Sequence, residues 1–297
     1  MSAPATRSGF VALAGRPNVG KSTLVNAIVG AKVAITSDRP QTTRRAIRGV
    51  LSDEQCQLVL VDLPGVQRPR DALTTRMAAR VRQELEDADA ALLVLNAEQG
   101  VGPGDRFIAS VLAGGAIPVT IALNKVDRCS EHAIVAVLEL ASELDGRAEV
   151  FPVSARTGDG VRALAEHLKA LMPPGPFLFE HGTSTDQASL VVLAELIREA
   201  VLRRTFQELP HAVEVVVEDV EAPRAGLAVV RALIWVESTS QRGIVIGKGG
   251  RMIKAIGIAA RRELERELGV QVHLDLAVRV RRDWRADDAL LDRLGIT

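Results

Sequence analysis

Along the first 172 positions, apolar residues gather in short runs separated by longer amphipathic stretches. The runs are Phe10 to Ala14, Gln57 to Val61, Ala90 to Leu95, Pro118 to Leu123 and Val150 to Val153, and each gives way to a loop containing Gly, Pro, Asn or Ser. Short strands alternating with helix-like segments predict βα units, hence a doubly wound, mostly parallel sheet with helices on both faces. A more polar run, Ala46 to Leu51, predicts an edge strand. Pro173-Pro-Gly-Pro176 then stops any helix, and the polar stretch His181 to Gln187 follows, so a linker is expected over 173–187.

Beyond the linker the rhythm changes. A helix is predicted near Ala188 to Phe206, then strands at Ala212 to Val220 and Leu227 to Glu237. A glycine-rich turn, Gly247 to Gly250, leads into a helix ending near Leu268, on which Ile253, Ile256, Ala260, Leu264 and Leu268 keep helical spacing. Val270 to Val280 alternates as a last strand. The expected organisation is therefore an α/β domain over 1–172 and a smaller α+β domain over 188–297, with no internal repeat.

Composition narrows the class. With 297 residues, 47% of them hydrophobic, each domain has enough apolar side chain to bury a core. Thirty-seven basic residues balance 37 acidic ones, so net charge argues neither for nor against a polyanionic partner, and only local charge can. Cys56 and Cys129 belong to no CxxC spacing and the five histidines to no HExxH, which excludes the common zinc signatures. The N-terminal residues lack an apolar signal core, and no segment approaches the ~20 apolar residues that span a bilayer. A soluble, cytoplasmic protein is expected.

The chemistry begins at Gly15-Arg16-Pro17-Asn18-Val19-Gly20-Lys21-Ser22-Thr23, which fits GxxxxGK[ST] between a predicted strand and a predicted helix. Four such letters arise by accident in roughly one chain in a hundred of this length. Position adds specificity. In such a loop, backbone N–H groups point at phosphates, the helix N-terminus adds positive potential, Lys21 reaches the β- and γ-phosphates, and Ser22 can ligate Mg²⁺. Three more segments sit at predicted strand ends, where ligands bind in a doubly wound sheet. Asp62-Leu63-Pro64-Gly65 offers a carboxylate for the metal; Asn124-Lys125-Val-Asp127 offers one that can accept the N1–H and exocyclic amine of guanine, a donor pair adenine lacks. Ser154-Ala155-Arg156 offers backbone N–H for the guanine keto oxygen.

In this order and spacing, these segments resemble the nucleotide motifs of the translation-factor-related P-loop GTPases over residues 9 to about 172. That resemblance implies binding of GTP and GDP with Mg²⁺, hydrolysis to GDP, and loops that respond to the γ-phosphate. It puts Gln41-Thr42-Thr43-Arg44 at the switch position, with Thr43 favoured over Thr42 as a metal ligand beside Ser22 and Asp62. Val66 stands where Ras-like enzymes carry the glutamine that orients water, and Leu63 stands where relatives usually carry threonine. In GTPases similar in both Gly-Arg-Pro-Asn-Val-Gly-Lys-Ser and Gln-Thr-Thr-Arg, the loop asparagine helps hold a potassium ion; Asn18 matches it. The implied catalytic set is Asn18, Lys21, Thr43, Asp62 and Gly65, with slow intrinsic turnover accelerated by K⁺ or by a partner.

In the second domain, Val245-Ile246-Gly247-Lys248-Gly249-Gly250-Arg251-Met-Ile253-Lys254 matches the VIGxxGxxI core of KH domains, whose GxxG loop clamps a nucleic-acid backbone. Between Arg242 and Lys254 there are four basic residues and no acidic one, and Ile244, Ile246 and Ile253 could line a groove for bases. One GTPase domain joined to a C-terminal KH unit resembles the Era family of bacterial ribosome-assembly GTPases across nearly the whole chain. The resemblance implies a monomer that binds small-subunit ribosomal RNA near its 3′ end, acts on the pre-ribosomal small subunit, and associates peripherally with the inner membrane. Two alternatives remain open at this point: an RNA-binding scaffold whose nucleotide is barely turned over, and a related GTPase regulating RNA modification.

Overall fold

The structure is a computed structural model that describes residues 6–37, 39, 42–66, 70–206 and 209–296. It divides into two compact units, one comprising 1–34, 43–70 and 74–186, the other 35–42, 71–73 and 187–297.

The first unit holds a six-stranded sheet. Its strands are β1 (Arg7–Ala14), β2 (Ile47–Ser52), β3 (Cys56–Asp62), β4 (Ala90–Asn96), β5 (Val119–Asn124) and β6 (Glu149–Pro152), in the order β2-β3-β1-β4-β5-β6. Only β2 runs antiparallel, on the edge beside β3, as its polar pattern suggests. The helices are α1 (Lys21–Val29), α2 (Ala72–Glu86), α3 (Pro103–Ala113), α4 (Glu131–Ser142) and α5 (Val161–Leu171). Alternation along each strand sorts the core into two layers. Val11 and Leu13 of β1 pack with Leu24 and Ile28 of α1 and Leu164 and Leu168 of α5. On the opposite face, Leu93 and Leu95 of β4 pack with Ile108 and Leu112 of α3, and Ala12 and Val61 with Val81 of α2. Burying each large aliphatic side chain contributes about 1.5–3 kcal/mol, and two covered faces explain why these strands read as unbroken apolar runs.

The stretch expected as a linker is strapped along the sheet instead of hanging free. Ser8 donates to the carbonyls of Pro173 (3.1 Å, from its N–H) and Pro176 (2.6 Å, from Oγ). The Gln57 amide accepts from the N–H groups of Leu178 and Phe179 at 2.7 and 2.9 Å, and Val50 N–H donates to Ser184 O at 2.9 Å. The division between the units falls after Asp186.

The second unit runs α6 (Ser189–Leu202), α7 (Leu209–Ala212), β7 (Glu214–Arg224), β8 (Leu227–Val236), α8 (Thr239–Ile246), α9 (Arg251–Leu268), β9 (Gln271–Val280) and α10 (Asp288–Arg293). Its three-stranded sheet has β8 in the centre, antiparallel to β7 and parallel to β9. Val230, Ile234 and Val236 of β8 meet Leu196 and Ile197 of α6 and Ile256, Ala260 and Leu264 of α9 in one apolar core. Sequence patterning missed α8, because its eight residues are too short to show a period. The signal it does carry is a capping box: Ser238 Oγ accepts from Gln241 N–H (3.2 Å), while Gln241 Oε1 accepts from Ser238 N–H (3.2 Å).

Candidate functional site

Four strand ends of the first unit bring the expected nucleotide residues together. Between β1 and α1 the chain turns through Gly15 to Gly20, with Asn18 at φ 64° and Gly20 at φ 100°. Left-handed backbone is tolerable for asparagine and free for glycine. Glycine is needed at Gly20 for a second reason, because a Cβ there would strike the side-chain amide of Asn124. Val19 is buried in the core and Thr23 is half-buried in the first turn of α1.

Lys21 is buried, and its ammonium donates to the carbonyls of Gly15 and Arg16, both at 3.1 Å. Burial lowers its pKa to about 8, against the opposing pull of the Asp62 charge. Asp62 is also fully buried, and burial pushes its carboxyl above the usual carboxylate range despite Lys21 and the hydroxyls of Ser22 and Thr43. Those hydroxyls form a knot around it: Ser22 Oγ donates to Asp62 Oδ2 at 2.6 Å, Thr43 Oγ1 donates to the same oxygen at 3.1 Å, and the two hydroxyls lie 3.0 Å apart. Asp62 Oδ1 is buried with no hydrogen-bond partner among the described residues. Three convergent hard oxygens plus an uncommitted carboxylate oxygen fit Mg²⁺, which takes one or two carboxylates and leaves its other positions to phosphate and water. Among the described residues no cluster of three His, Cys, Asp or Glu side chains offers a rival site.

The geometry separates the two switch threonines. Thr42 turns its hydroxyl to Arg39 O at 2.6 Å, so Thr43 is the one facing Asp62. Gln41 lies outside the described residues. Leu63 is buried in the apolar cluster beneath α2, and Val66 packs against the same cluster with its N–H 3.3 Å from Gly15 O. Leu63 and Pro64 are buried, Gly65 half-buried.

At the base-side end, the residues divide their labour. Asn124 Oδ1 accepts from the N–H groups of Lys125 (2.8 Å) and Ala155 (3.0 Å), while its Nδ2 donates to Val19 O at 2.9 Å. Lys125, at φ 68°, sends its ammonium to Asn18 O at 2.7 Å. Both are braces that fasten neighbouring loops to the phosphate loop. The N–H of Ala155, a candidate for the guanine keto oxygen, is donated to Asn124. Asp127 keeps one carboxylate oxygen, Oδ2, without a hydrogen bond among the described residues. Its Oδ1 accepts from Ser154 Oγ at 2.7 Å, and Arg156 lies 3.0 Å from Oδ2 by charge attraction without a directed hydrogen bond. The Ser154 hydrogen bond and then the Arg156 charge hold its carboxyl below the usual range, so it is an ionised acceptor at neutral pH. The Arg16 guanidinium donates to buried Asp105 Oδ1 at 2.9 Å, at the start of α3, which leaves its backbone to serve the loop. Asp105 was invisible to motif reading, since its role depends on a contact 89 positions away.

In the second unit, α8 and α9 meet at Gly247-Lys248-Gly249-Gly250. Gly247 adopts φ 71°, ψ 165°, a conformation essentially reserved for glycine, and a Cβ there would lie 2.7 Å from that of Met252. Arg242, Lys248, Arg251 and Lys254 are all exposed around this turn. Of the three apolar groove candidates, only Ile244 is largely exposed, at 55%. Ile246 and Ile253 are half-buried against the core, because the helical geometry of α8 and α9 turns them inward.

Comparison with known proteins finds relatives for both units. A family model described as 50S ribosome-binding GTPase matches residues 10–125, and one described as KH domain matches residues 208–285. The chain is 48% identical to GTPase Era of Mycobacterium tuberculosis over 97% of this chain and 98% of that protein. It is 46% identical to GTPase Era of Mycobacterium avium, with the same coverage. Among solved structures it is similar to Era in complex with MgGDPNP and nucleotides 1506–1542 of 16S ribosomal RNA, at 31% identity and a TM-score of 0.94 over 98% of this chain and 99% of that one. An Aquifex aeolicus Era variant bound to GDP and AlF4⁻ matches with the same TM-score and identity, over 98% of this chain and 100% of that one.

Proposed function

The chain belongs to the Era family of GTPases, and on that premise we propose that it is a GTP-hydrolysing switch that binds small-subunit ribosomal RNA near its 3′ end and assists assembly of that subunit. The observation that carries the nucleotide reading is the hydroxyl–carboxylate knot of Ser22, Thr43 and Asp62 beside buried Lys21.

Asp127 selects the base. Its ionised carboxylate accepts the two adjacent donors of guanine, and a base without them leaves a desolvated carboxylate half-paired, which costs a few kcal/mol. Lys21 and the backbone N–H groups from Gly15 to Ser22 hold the β- and γ-phosphates. Ser22, Thr43 and Asp62 would hold Mg²⁺, which when bound supplies charge neutralisation to the phosphates. Catalysis by this chain is then positioning and electrostatic stabilisation. Val66, packed into apolar surroundings, has no hydrogen-bonding group with which to orient water. Slow intrinsic turnover follows. Exposed Asn18, at the apex of the phosphate loop, is the residue that would help hold a potassium ion supplying charge in place of an arginine finger. If Asn18→Ala hydrolysed GTP equally in K⁺ and Na⁺, at the wild-type K⁺ rate, that role would be lost.

The RNA reading rests on the exposed GxxG turn with Arg242, Lys248, Arg251 and Lys254 around it, and on Ile244 as the accessible apolar contact. We place the protein in the cytoplasm as a monomer with peripheral attachment to the inner membrane, in keeping with the family resemblance; among the described residues no helix is long and apolar enough to cross a membrane. Crosslinking from cells followed by sequencing tests the RNA assignment. Enrichment of 3′-terminal small-subunit rRNA is expected, and its absence would sink the ribosomal role.

A further inference from the structure

The segment between α1 and β2 is gripped at both ends by two consecutive residues of α6. At its upstream end, Ile35 belongs to the apolar core of the second unit, and Glu199 Oε1 accepts from Thr36 N–H (3.0 Å) and Thr36 Oγ1 (3.2 Å). At its downstream end, Arg198 donates from Nη2 to the carbonyl of Thr42. Arg198 is wholly buried and paired along its own helix with Glu195, Nη2 to Oε2 at 2.6 Å and Nε to Oε1 at 3.2 Å. Between the two grips, Thr42 Oγ1 donates to Arg39 O at 2.6 Å, and the Arg39 guanidinium lies over the Phe206 ring at 4.6 Å.

The chemistry asks why an arginine is there. Burying an ion pair costs several kcal/mol per charge, and an apolar pair of similar volume would hold a helix in place as well or better. An apolar pair cannot donate to a peptide carbonyl. A planar guanidinium can satisfy a carboxylate with one part of its fork and still fix a second acceptor in direction. The acceptor it fixes is the peptide joining Thr42 to Thr43, and the Thr43 hydroxyl lies 3.1 Å from Asp62 and 3.0 Å from Ser22.

We propose that Arg198 is a positioning residue of the GTPase reaction: by holding the Thr42 carbonyl it fixes the backbone from which Thr43 presents its hydroxyl to the metal–triphosphate site. The proposal rests on Thr43 being a ligand on the magnesium side, as read above. A carbonyl released from Arg198 lets that peptide rotate, and misplacement by about 1 Å in such a site costs about 100-fold. The effect falls on the triphosphate state, because the diphosphate is held chiefly by the phosphate loop and Asp127.

The test compares Arg198→Met, the paired Glu195→Leu/Arg198→Met, Arg198→Lys, Glu195→Gln and Thr43→Ala in the full chain. The readouts are kcat, KM, and Mg²⁺-dependent affinity for a non-hydrolysable GTP analogue against affinity for GDP. Expected for Arg198→Met is a loss of about 10- to 100-fold in kcat and in analogue affinity, with GDP affinity within about twofold. The paired apolar variant removes the Arg198–Glu195 pair together but takes a countercharge from buried Glu214, so thermal unfolding is read beside it to establish the folded fraction, and the folded protein shows the same loss. Arg198→Lys, which retains a donor, recovers part of it, and Glu195→Gln, which leaves the donor on Thr42 but removes a buried countercharge, lowers the thermal unfolding midpoint while the folded protein keeps its analogue affinity near wild type. Thr43→Ala separates the two readings. If it loses analogue affinity while the Arg198 variants behave as wild type, Arg198 has no positioning role and the metal assignment stands. If Thr43→Ala also behaves as wild type, the metal assignment fails and the proposal with it. An equal loss of GDP and analogue affinity in the paired variant would overturn the proposal in favour of a purely structural role.

Discussion

The phosphate loop and the GxxG turn are both glycine-rich, both open a helix, and both suit a phosphate backbone, yet they are built on opposite principles. Around the phosphate loop the key polar side chains already have protein partners: Lys21 on two carbonyls, Asn124 on three backbone groups, Lys125 on Asn18 O, and Ser22 and Thr43 on Asp62. Around the GxxG turn the basic side chains are exposed, and Arg251 Nε reaches Lys248 O over a long 3.4 Å. A buried site must hold a triphosphate and a metal in one geometry, so it is preorganised at the cost of desolvating charge. A surface that tracks a flexible polyanion draws its affinity from long-range charge and counterion release, which needs exposure. Substitutions in the first should therefore be severe and mutually coupled, those in the second graded and nearly additive.

The comparison is broken most sharply at Asp127. Asp127→Asn replaces an acceptor pair with a mixed donor and acceptor, and should weaken GTP binding by about 100-fold or more, with some xanthosine triphosphate binding gained in exchange. Calorimetry with both nucleotides checks it, and a loss under fivefold would remove Asp127 from base recognition. Next in size, Lys248→Ala with Arg251→Ala should lower affinity for single-stranded RNA by about tenfold and flatten its salt dependence by roughly 1.4 log units per decade, about 0.7 per phosphate contact. The two single changes should sum to the double. Titrations at several salt concentrations decide this, and strong non-additivity would mean that the turn is preorganised after all.

A third outcome concerns pH. In the nucleotide-free protein the Lys21 ammonium has a pKa of about 8, and phosphate binding must raise it, because only the charged form pairs with the triphosphate. Binding therefore takes up a proton above pH 8, and GTP affinity should fall by up to about tenfold per pH unit there, until the pKa of the bound state is passed. Isothermal titration at pH 8.5 in buffers of different ionisation enthalpy measures the uptake directly, and no uptake would contradict the shift. The smallest effect is expected from Val66→Gln. Because that side chain packs into an apolar cluster, the amide should cost about 1 kcal/mol of stability and change turnover less than about threefold. A large rise in turnover would show that the loop readily swings the residue toward the nucleotide.

Much of this was legible in the chain because the chemistry leaves few choices of residue. A triphosphate cradle requires Gly20, Lys21 and Ser22 in immediate succession; a guanine acceptor requires a carboxylate such as Asp127; a GxxG clamp requires Gly247 and Gly250 with basic neighbours. Strand periodicity likewise located the six strands of the first unit and the three of the second. Local requirements of this kind are written in consecutive letters, and backbone sterics and hydrophobic burial carry them into structure. What the letters did not carry were decisions made between distant residues: that Asn124 and Lys125 brace the phosphate loop, that Thr43 and not Thr42 faces Asp62, that Arg16 turns to Asp105, that Ile246 and Ile253 face the core, and that Thr36 and Thr42 are held by Glu199 and Arg198 of α6. Each depends on which groups meet once sheets and helices have packed, and on the need of every buried polar atom for a partner. That need is settled by proximity in three dimensions, which spacing along the chain does not encode.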